Sequence, residues 1–373
     1  MNADLLRLLL GWLDAPEGGE QFWREFGGDA ESVLRETVRQ GVAPVLWARL
    51  NTQAWFACLP QVLRAGLAEE YHQNATRMGR FAHELAAILG AAVQMGVPVI
   101  PLKGGLINFG LLPDPAERTM ADLDLLIRPE DAAALDEILR ELGYAAPPRP
   151  RYATARKYVR PNARVLRWEG EHPDNPRAVE VHTNLQRVVW ADFTAPDLTQ
   201  AFWQSARPFT LLGQPVLAPD FAVLHAFLCL HHADHLLFGS ARLTHWFDLA
   251  RPMLLNPAAA RGFEGILSPD WVYLPLRLAA RALPRTFSLV DLRPLRKRVT
   301  PYVARWADSI NLAACGLVQL ARPGQPRWRE RWLRWRPDPL RLALVYGAVP
   351  TWWAAGRYAL HLLARAGRGW RET

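Results

Sequence analysis

The sequence predicts an α+β fold: a small mixed β-sheet core flanked by N-terminal and C-terminal helical regions. Residues 1–96 alternate helical apolar spacing with short breaks, and Ala65 to Met95 keeps apolar positions three and four apart. The pattern then changes to two short β-rich runs, VPVIPL (97–102) and DLDLLI (122–127). From Asp192 onward it is helical again. The 373 residues, 50% hydrophobic, can bury a core and fill two or more domains. We divide them into an N-terminal helical region (1–96), a core (97–190), a helical region packing on that core (191–321) and a basic Trp/Arg-rich tail (322–373).

Within the core, PEDAAALDEILRELGY (129–144) reads as an amphipathic helix with proline at its start. Tyr152 to Val159 and Val165 to Trp168 read as antiparallel strands around a Pro161-Asn162 turn. AVEVHTNL (178–185) alternates with period two and reads as a further strand. Farther on, helices are expected over Asp220 to Phe238 and Arg242 to Leu255, and Gln214 to Leu217 is the one candidate strand.

The net charge of +8 is confined to the end of the chain. Eleven arginines beyond Ala321 face only Glu330, Asp338 and Glu372, and the remaining 321 residues balance 33 cations against 33 anions. A neutral body with a cationic tail disfavours nucleic acid as a partner. The tail reads either as a helical hairpin packing its tryptophans on the body or as a peripheral contact to a membrane or partner protein. Its uncharged stretch Leu342 to Gly356 is short of the ~20 residues a membrane span needs. Cys58, Cys229 and Cys315 are odd in number and far apart, which supports neither a disulfide framework nor a zinc ribbon. With no leader-like start, the expected location is the cytoplasm, with the inner membrane as a possible docking surface for the tail.

The chemistry concentrates in Lys103-Gly104-Gly105, Arg118, Asp122-Leu123-Asp124 and Glu180. Strand alternation puts Asp122 and Asp124 on one face and Leu123, Leu125 and Ile127 on the other. Val179 and Val181 likewise leave Glu180 and His182 together. Three carboxylates in one half-buried patch repel one another unless a cation joins them, and hard oxygen donors suit Mg²⁺ or Mn²⁺. Lys103 and the paired glycines fit the opposite side of such a site, where backbone amides approach phosphate oxygens.

The 102–144 block, with its Leu-Lys-Gly turn, its arginine shortly before an Asp-Leu-Asp strand and its helix ending in Gly143-Tyr144, resembles the uncharacterised nucleotidyltransferase family. That family belongs to the DNA polymerase β-like nucleotidyltransferase superfamily. VEVHTNL (179–185) resembles the family's acidic strand. The resemblance implies a nucleotidyltransferase core in which Asp122, Asp124 and Glu180 are catalytic and hold Mg²⁺ or Mn²⁺. It implies that Lys103, Gly104, Gly105 and Arg118 bind the nucleotide. The expected reaction is transfer of a nucleoside monophosphate from a nucleoside triphosphate to a small-molecule or protein acceptor. Leu106 follows Gly105 where many superfamily members have serine, and Glu180 stands where aspartate is commoner.

His182, Arg156, Arg160, His232, His235 and Arg242 are the expected supporting or acceptor-contacting residues. Arg156, Tyr158 and Arg160 share a strand face in a segment, Arg149 to Arg167, that has six arginines, Lys157 and no acid. His225, His231, His232 and His235 fall on one predicted helix, with His245 and Asp248 on the next. Pairs three or four apart there fit structural roles, acceptor contacts or a separate zinc site. Two other readings remain. A degenerate nucleotide-binding scaffold would keep the fold without turnover. A D-x-D glycosyltransferase would need a doubly wound region before the D-x-D, where residues 1–96 read helical, and it leaves Lys103-Gly104-Gly105 and Glu180 without a role.

Overall fold

The computed structural model describes residues 3–146, 155–161, 163–167, 172–186, 188–190, 193–237, 241–255, 265–310, 312, 339–346, 353 and 356–359. Helices α1 (Ala3–Asp14), α2 (Gly19–Phe26), α3 (Ala30–Arg39) and α4 (Ala43–Leu50) lead into the 34-residue α5 (Gln61–Gln94), roughly 50 Å long at 1.5 Å per residue. Then come β1 (Ile100–Pro101), the single turn α6 (Lys103–Leu106), β2 (Asp122–Leu126), α7 (Ala132–Glu141), β3 (Ala155–Tyr158) and β4 (Ala178–His182).

The four strands form one mixed sheet in the order β1-β2-β4-β3. β2 and β4 run parallel, with Asp122 opposite Ala178 and Asp124 opposite Glu180. β1 and β3 flank them antiparallel, and Lys157 lies opposite Glu180. One face of the sheet is apolar: Leu123, Leu125, Tyr158, Val179 and Val181 pack with Phe81, Leu85 and Ile88 of α5 and Ile138 and Leu139 of α7. The opposite face reaches the larger core through Leu126 and otherwise carries the polar side chains.

Farther on, β5 (Val188–Trp190) pairs with β6 (Phe193–Thr194), α8 (Thr199–Ser205) follows, and β7 (Arg207–Leu211) pairs with β8 (Gln214–Ala218). α9 (Phe221–Leu237), α10 (Leu243–Leu255), α11 (Pro269–Ala282), α12 (Arg293–Arg296) and α13 (Pro301–Ser309) complete the body. α9, α10, α11 and α13 share a single hydrophobic core with α1 and α4. The two helical regions that flank the sheet in sequence therefore meet in space.

The structure corrects three sequence readings. Val165 to Arg167 is not a strand. The amides of Leu166 and Arg167 donate to Asn175 Oδ1 (2.8 and 3.2 Å), and Asn175 Nδ2 donates to the Arg167 carbonyl (2.8 Å), which ties this segment to a loop. β3 pairs with β4 instead. β8 matches the candidate strand Gln214 to Leu217, whereas β6 and β7 lie where helix is expected. The β7–β8 turn is made by Leu212 (φ 51°) and Gly213 (φ 76°), both left-handed as a two-residue hairpin turn requires. Most of 322–373 lies outside the described residues, but helix Pro339–Tyr346 buries Leu340, Ala343 and Leu344 in the main core. Among the described residues no helix is long and apolar enough to cross a membrane.

Arg77 fixes the start of the two central strands. It is 1% exposed on α5 and donates to five carbonyls. Two, Met120 (3.0 Å) and Ala121 (3.2 Å), lead into β2. Three, His172 (2.9 Å), Asn175 (3.0 Å) and Pro176 (3.3 Å), lead into β4. The planar fork uses each of its N–H positions, a pattern that a lysine cannot reproduce. Arg77→Lys is expected to lower the unfolding free energy by about 3 kcal/mol. Urea denaturation against the wild type checks this, and an unchanged midpoint would show that the clamp is dispensable.

Candidate active site

Period-two alternation and parallel register bring Asp122, Asp124, Glu180 and His182 to the polar face of the sheet, and antiparallel register adds Lys157 beside Glu180. The β1–β2 ladder ends where the Leu102 amide donates to the Asp124 carbonyl (2.9 Å). The next residue, Lys103, takes a left-handed backbone (φ 39°), a strained conformation for a residue with a side chain. From that turn Lys103 Nζ donates to Asp124 Oδ1 at 2.7 Å. His182 Nε2 lies 2.9 Å from the same oxygen. On the other side, Lys157 Nζ donates to Glu180 Oε1 (2.9 Å) and stands 3.9 Å from Asp122 Oδ2.

Two ammonium groups thus face three carboxylates, and Asp122 has only the longer 3.9 Å contact. Asp124 is buried at 2% exposure, which by itself pushes its carboxyl up. The Lys103 charge and the bonds from His182 and Lys103 overcome this and hold it well below the usual carboxylate range. Asp122 goes the other way. Burial and the neighbouring Asp124 charge push it up to about 7, against the opposing pull of Lys103. Burial lowers the affinity of Lys157 for its proton, but the hydrogen bond and charge of Glu180 raise it overall. Asp124, Glu180 and His182 each offer a donor atom within 4.8 Å of the others. Asp122, expected as the third oxygen ligand, is outside that group and His182 stands in it instead; two carboxylates and an imidazole with surplus negative charge nearby fit a divalent cation.

Arg118 is placed differently from its expected role. Its guanidinium pairs with Asp248 of α10, Nε to Oδ1 and Nη2 to Oδ2, both at 2.7 Å. Nη1 donates to Asn108 Oδ1 and the Thr119 carbonyl, both at 3.2 Å. Arg118 therefore braces the loop before β2 against α10 and touches neither Asp122 nor Asp124 among these bonds. The glycines also act sterically. A Cβ on Gly104 would sit 2.4 Å from Met120 Sδ and 2.8 Å from Arg118 Nη1, whereas on Gly105 it would meet Pro101 Cβ at an ordinary 3.6 Å. The Gly105 amide donates to the Leu102 carbonyl (3.0 Å), which closes the turn.

The remaining expected residues lie elsewhere. Arg156 and Arg160 sit on the far side of the sheet. Arg156 pairs with Asp136 (3.1 Å) and covers the Tyr158 ring. Arg160 covers Tyr144, donates to the Leu142 carbonyl and lines a cleft of about 470 Å³ with Arg80, His83, Glu84 and Arg177. Among the described residues of this segment, the cation that reaches the carboxylates is Lys157, one position out of phase with the two arginines. It is also one of only three lysines in the chain, and that rarity together with strand parity is the signal that marks it. His232 is buried against Trp246, His235 stacks on His245, and the Arg242 amide donates to His245 Nδ1 at 3.1 Å.

Because Asp122 in the folded chain holds its proton up to about pH 7 and an ordinary aspartate only to 3.8, the folded form binds the extra proton between these values. Stability from this group is therefore lost as pH rises through that window. In EDTA, Asp122→Asn is expected to gain on the wild type from pH 4 to pH 8, ending more than ~1 kcal/mol ahead after allowance for partial exposure. Parallel stability–pH curves for the two proteins would contradict it.

Comparison with known proteins adds the family. No curated protein matches the chain. Among solved structures it is similar to the solution structure of the antibiotic-resistance factor ANT(2'')-Ia, with 16% identity, 48% of this chain and 87% of that chain covered, and a TM-score of 0.34. The uncharacterised nucleotidyltransferase family matches residues 27–260, a span that takes in the whole carboxylate and lysine row as well as Arg118 and Asp248. The chain is a transferase and belongs to the uncharacterised nucleotidyltransferase family.

Proposed function

We propose that this nucleotidyltransferase moves a nucleoside monophosphate from a nucleoside triphosphate to an acceptor hydroxyl or phosphate and releases pyrophosphate. The observation that supports it most is the row Lys157, Glu180, Asp124, Lys103, with Asp122 beside it, on one face of a three-strand register. Asp122, Asp124 and Glu180 would hold Mg²⁺ or Mn²⁺. Bound there, the ion supplies charge neutralisation for the triphosphate and for the departing pyrophosphate.

The chain's own groups do the rest. Lys103 and Lys157 enter from opposite sides of the carboxylates as point charges suited to phosphate oxygens. Each leaves a carboxylate to do so, which frees those oxygens. Glu180 orients a hydroxyl acceptor and takes its proton. The acceptor oxygen forms a bond to the α-phosphorus as the α-phosphorus bond to the pyrophosphate oxygen breaks. His182 keeps Asp124 ionised and fixed in place. Gly104 lets the Lys103 turn seat against Met120 and Arg118.

Incubation of the pure protein with Mg²⁺ or Mn²⁺ and each labelled triphosphate is the test. Pyrophosphate release that disappears in the folded Asp122→Asn/Asp124→Asn variant is expected. Turnover retained in that variant would sink the assignment, and triphosphate binding without turnover in the wild type would point to a scaffold instead. Lys157→Met is expected to raise the apparent constant for the nucleotide by about tenfold through the lost charge-assisted contact. An unchanged constant would remove Lys157 from the site.

A further inference from the structure

Away from the carboxylates, three histidines converge between two helices. His231 and His235 stand one turn apart on α9, and His245 faces them from the first turn of α10. The His231 and His235 rings are 4.5 Å apart, His235 and His245 4.3 Å, and His231 and His245 5.6 Å. One ring nitrogen from each lies within 4.8 Å of the other two, and all three side chains are half-buried. We propose that His231, His235 and His245 form a binding site for a divalent transition metal of the zinc class, separate from the carboxylate site.

The chemistry distinguishes the two sites. Imidazole nitrogens suit Zn²⁺, Co²⁺ and Ni²⁺ and are poor partners for Mg²⁺, whereas the carboxylate row is a hard-oxygen set. Only neutral imidazole binds a metal. Burial, the adjoining His235 and His232, and the cations Arg242 and Arg118 hold His245 neutral by lowering its proton affinity well below normal. In a closed tetrahedral site each nitrogen is ~2.0–2.1 Å from zinc, a distance that small rotations of the three side chains can set. His245 then exchanges its 3.1 Å contact with the Arg242 amide for coordination. Three protein ligands leave the fourth position to water or a ligand. The metal would also fasten α9 to α10, and α10 carries the Asp248 that holds Arg118.

The test uses tag-free, full-length protein stripped with EDTA and then dialysed against Zn²⁺ or Co²⁺ in excess Mg²⁺, which occupies the carboxylates. Bound metal is counted directly and Co²⁺ is followed by its visible absorption. The wild type and Asp122→Asn/Asp124→Asn are each expected to retain one equivalent and to show the same Co²⁺ spectrum. His231→Asn/His235→Asn, with an unchanged circular dichroism spectrum, is expected to bind at least ~100-fold more weakly. Failure of the wild type to retain metal overturns the proposal whether or not the variant folds. Metal lost with the aspartates and kept by the histidine variant overturns it as well.

Discussion

Three carboxylates set on one patch of a largely buried sheet face are the constraint around which the rest of this molecule is arranged. Like charges ~5 Å apart repel by about 3 kcal/mol at an effective dielectric constant of ~20. Nothing in a β-sheet compels Asp122, Asp124 and Glu180 to lie together, since strand register could shift. Register is fixed because Leu123, Leu125, Val179 and Val181 are buried on the other face, and a one-residue slip would exchange the faces. The apolar core thus enforces the polar repulsion, and Lys103 and Lys157 moderate it. The imbalance that remains falls on Asp122, whose carboxyl is pushed up to about 7 by burial and the Asp124 charge.

The surroundings of the row keep it rigid. Arg77 gathers five carbonyls from the approaches to β2 and β4 and so locks the two parallel strands at their start. Arg118 and Asp248 tie the approach to β2 to a helix 130 residues later in the chain. Lys103 accepts a left-handed backbone to aim its ammonium at Asp124. Strain of this kind persists only where the neighbourhood over-determines it, and here the Leu102 amide on the Asp124 carbonyl and the tight fit of Gly104 do so. Preorganised charge of this sort is what phosphoryl transfer asks of a protein, since positioning and electrostatics supply most of the catalysis.

The mixed sheet between helical regions and the shared face of Asp122 and Asp124 were legible in the sequence because side-chain alternation has a fixed period. The 149–167 segment was harder to read: six arginines drew attention to Arg156 and Arg160, yet parity puts those behind the sheet and puts Lys157 in front. Val165 to Trp168 has strand composition, but Asn175 takes the backbone groups that a strand partner would need. The β7–β8 turn is hidden because Leu212 fills a left-handed position where Asn, Asp or Gly is the usual signal. The Arg118 partner could not be read at all, because pairing across 130 residues leaves no local pattern.

Two lysines against three carboxylates leave surplus negative charge on the row, and in the proposed reaction a divalent cation with a triphosphate balances it. Carboxyl ¹³C NMR of the full-length protein, labelled at aspartate and assigned with Asp122→Asn, measures it most directly. In EDTA the Asp122 signal is expected to titrate near pH 7, and with Mg²⁺ and a non-hydrolysable nucleoside triphosphate its midpoint is expected to fall toward the ordinary aspartate range. An Asp122 that titrates as an ordinary aspartate without metal, or that ignores the cation and nucleotide, would contradict the account.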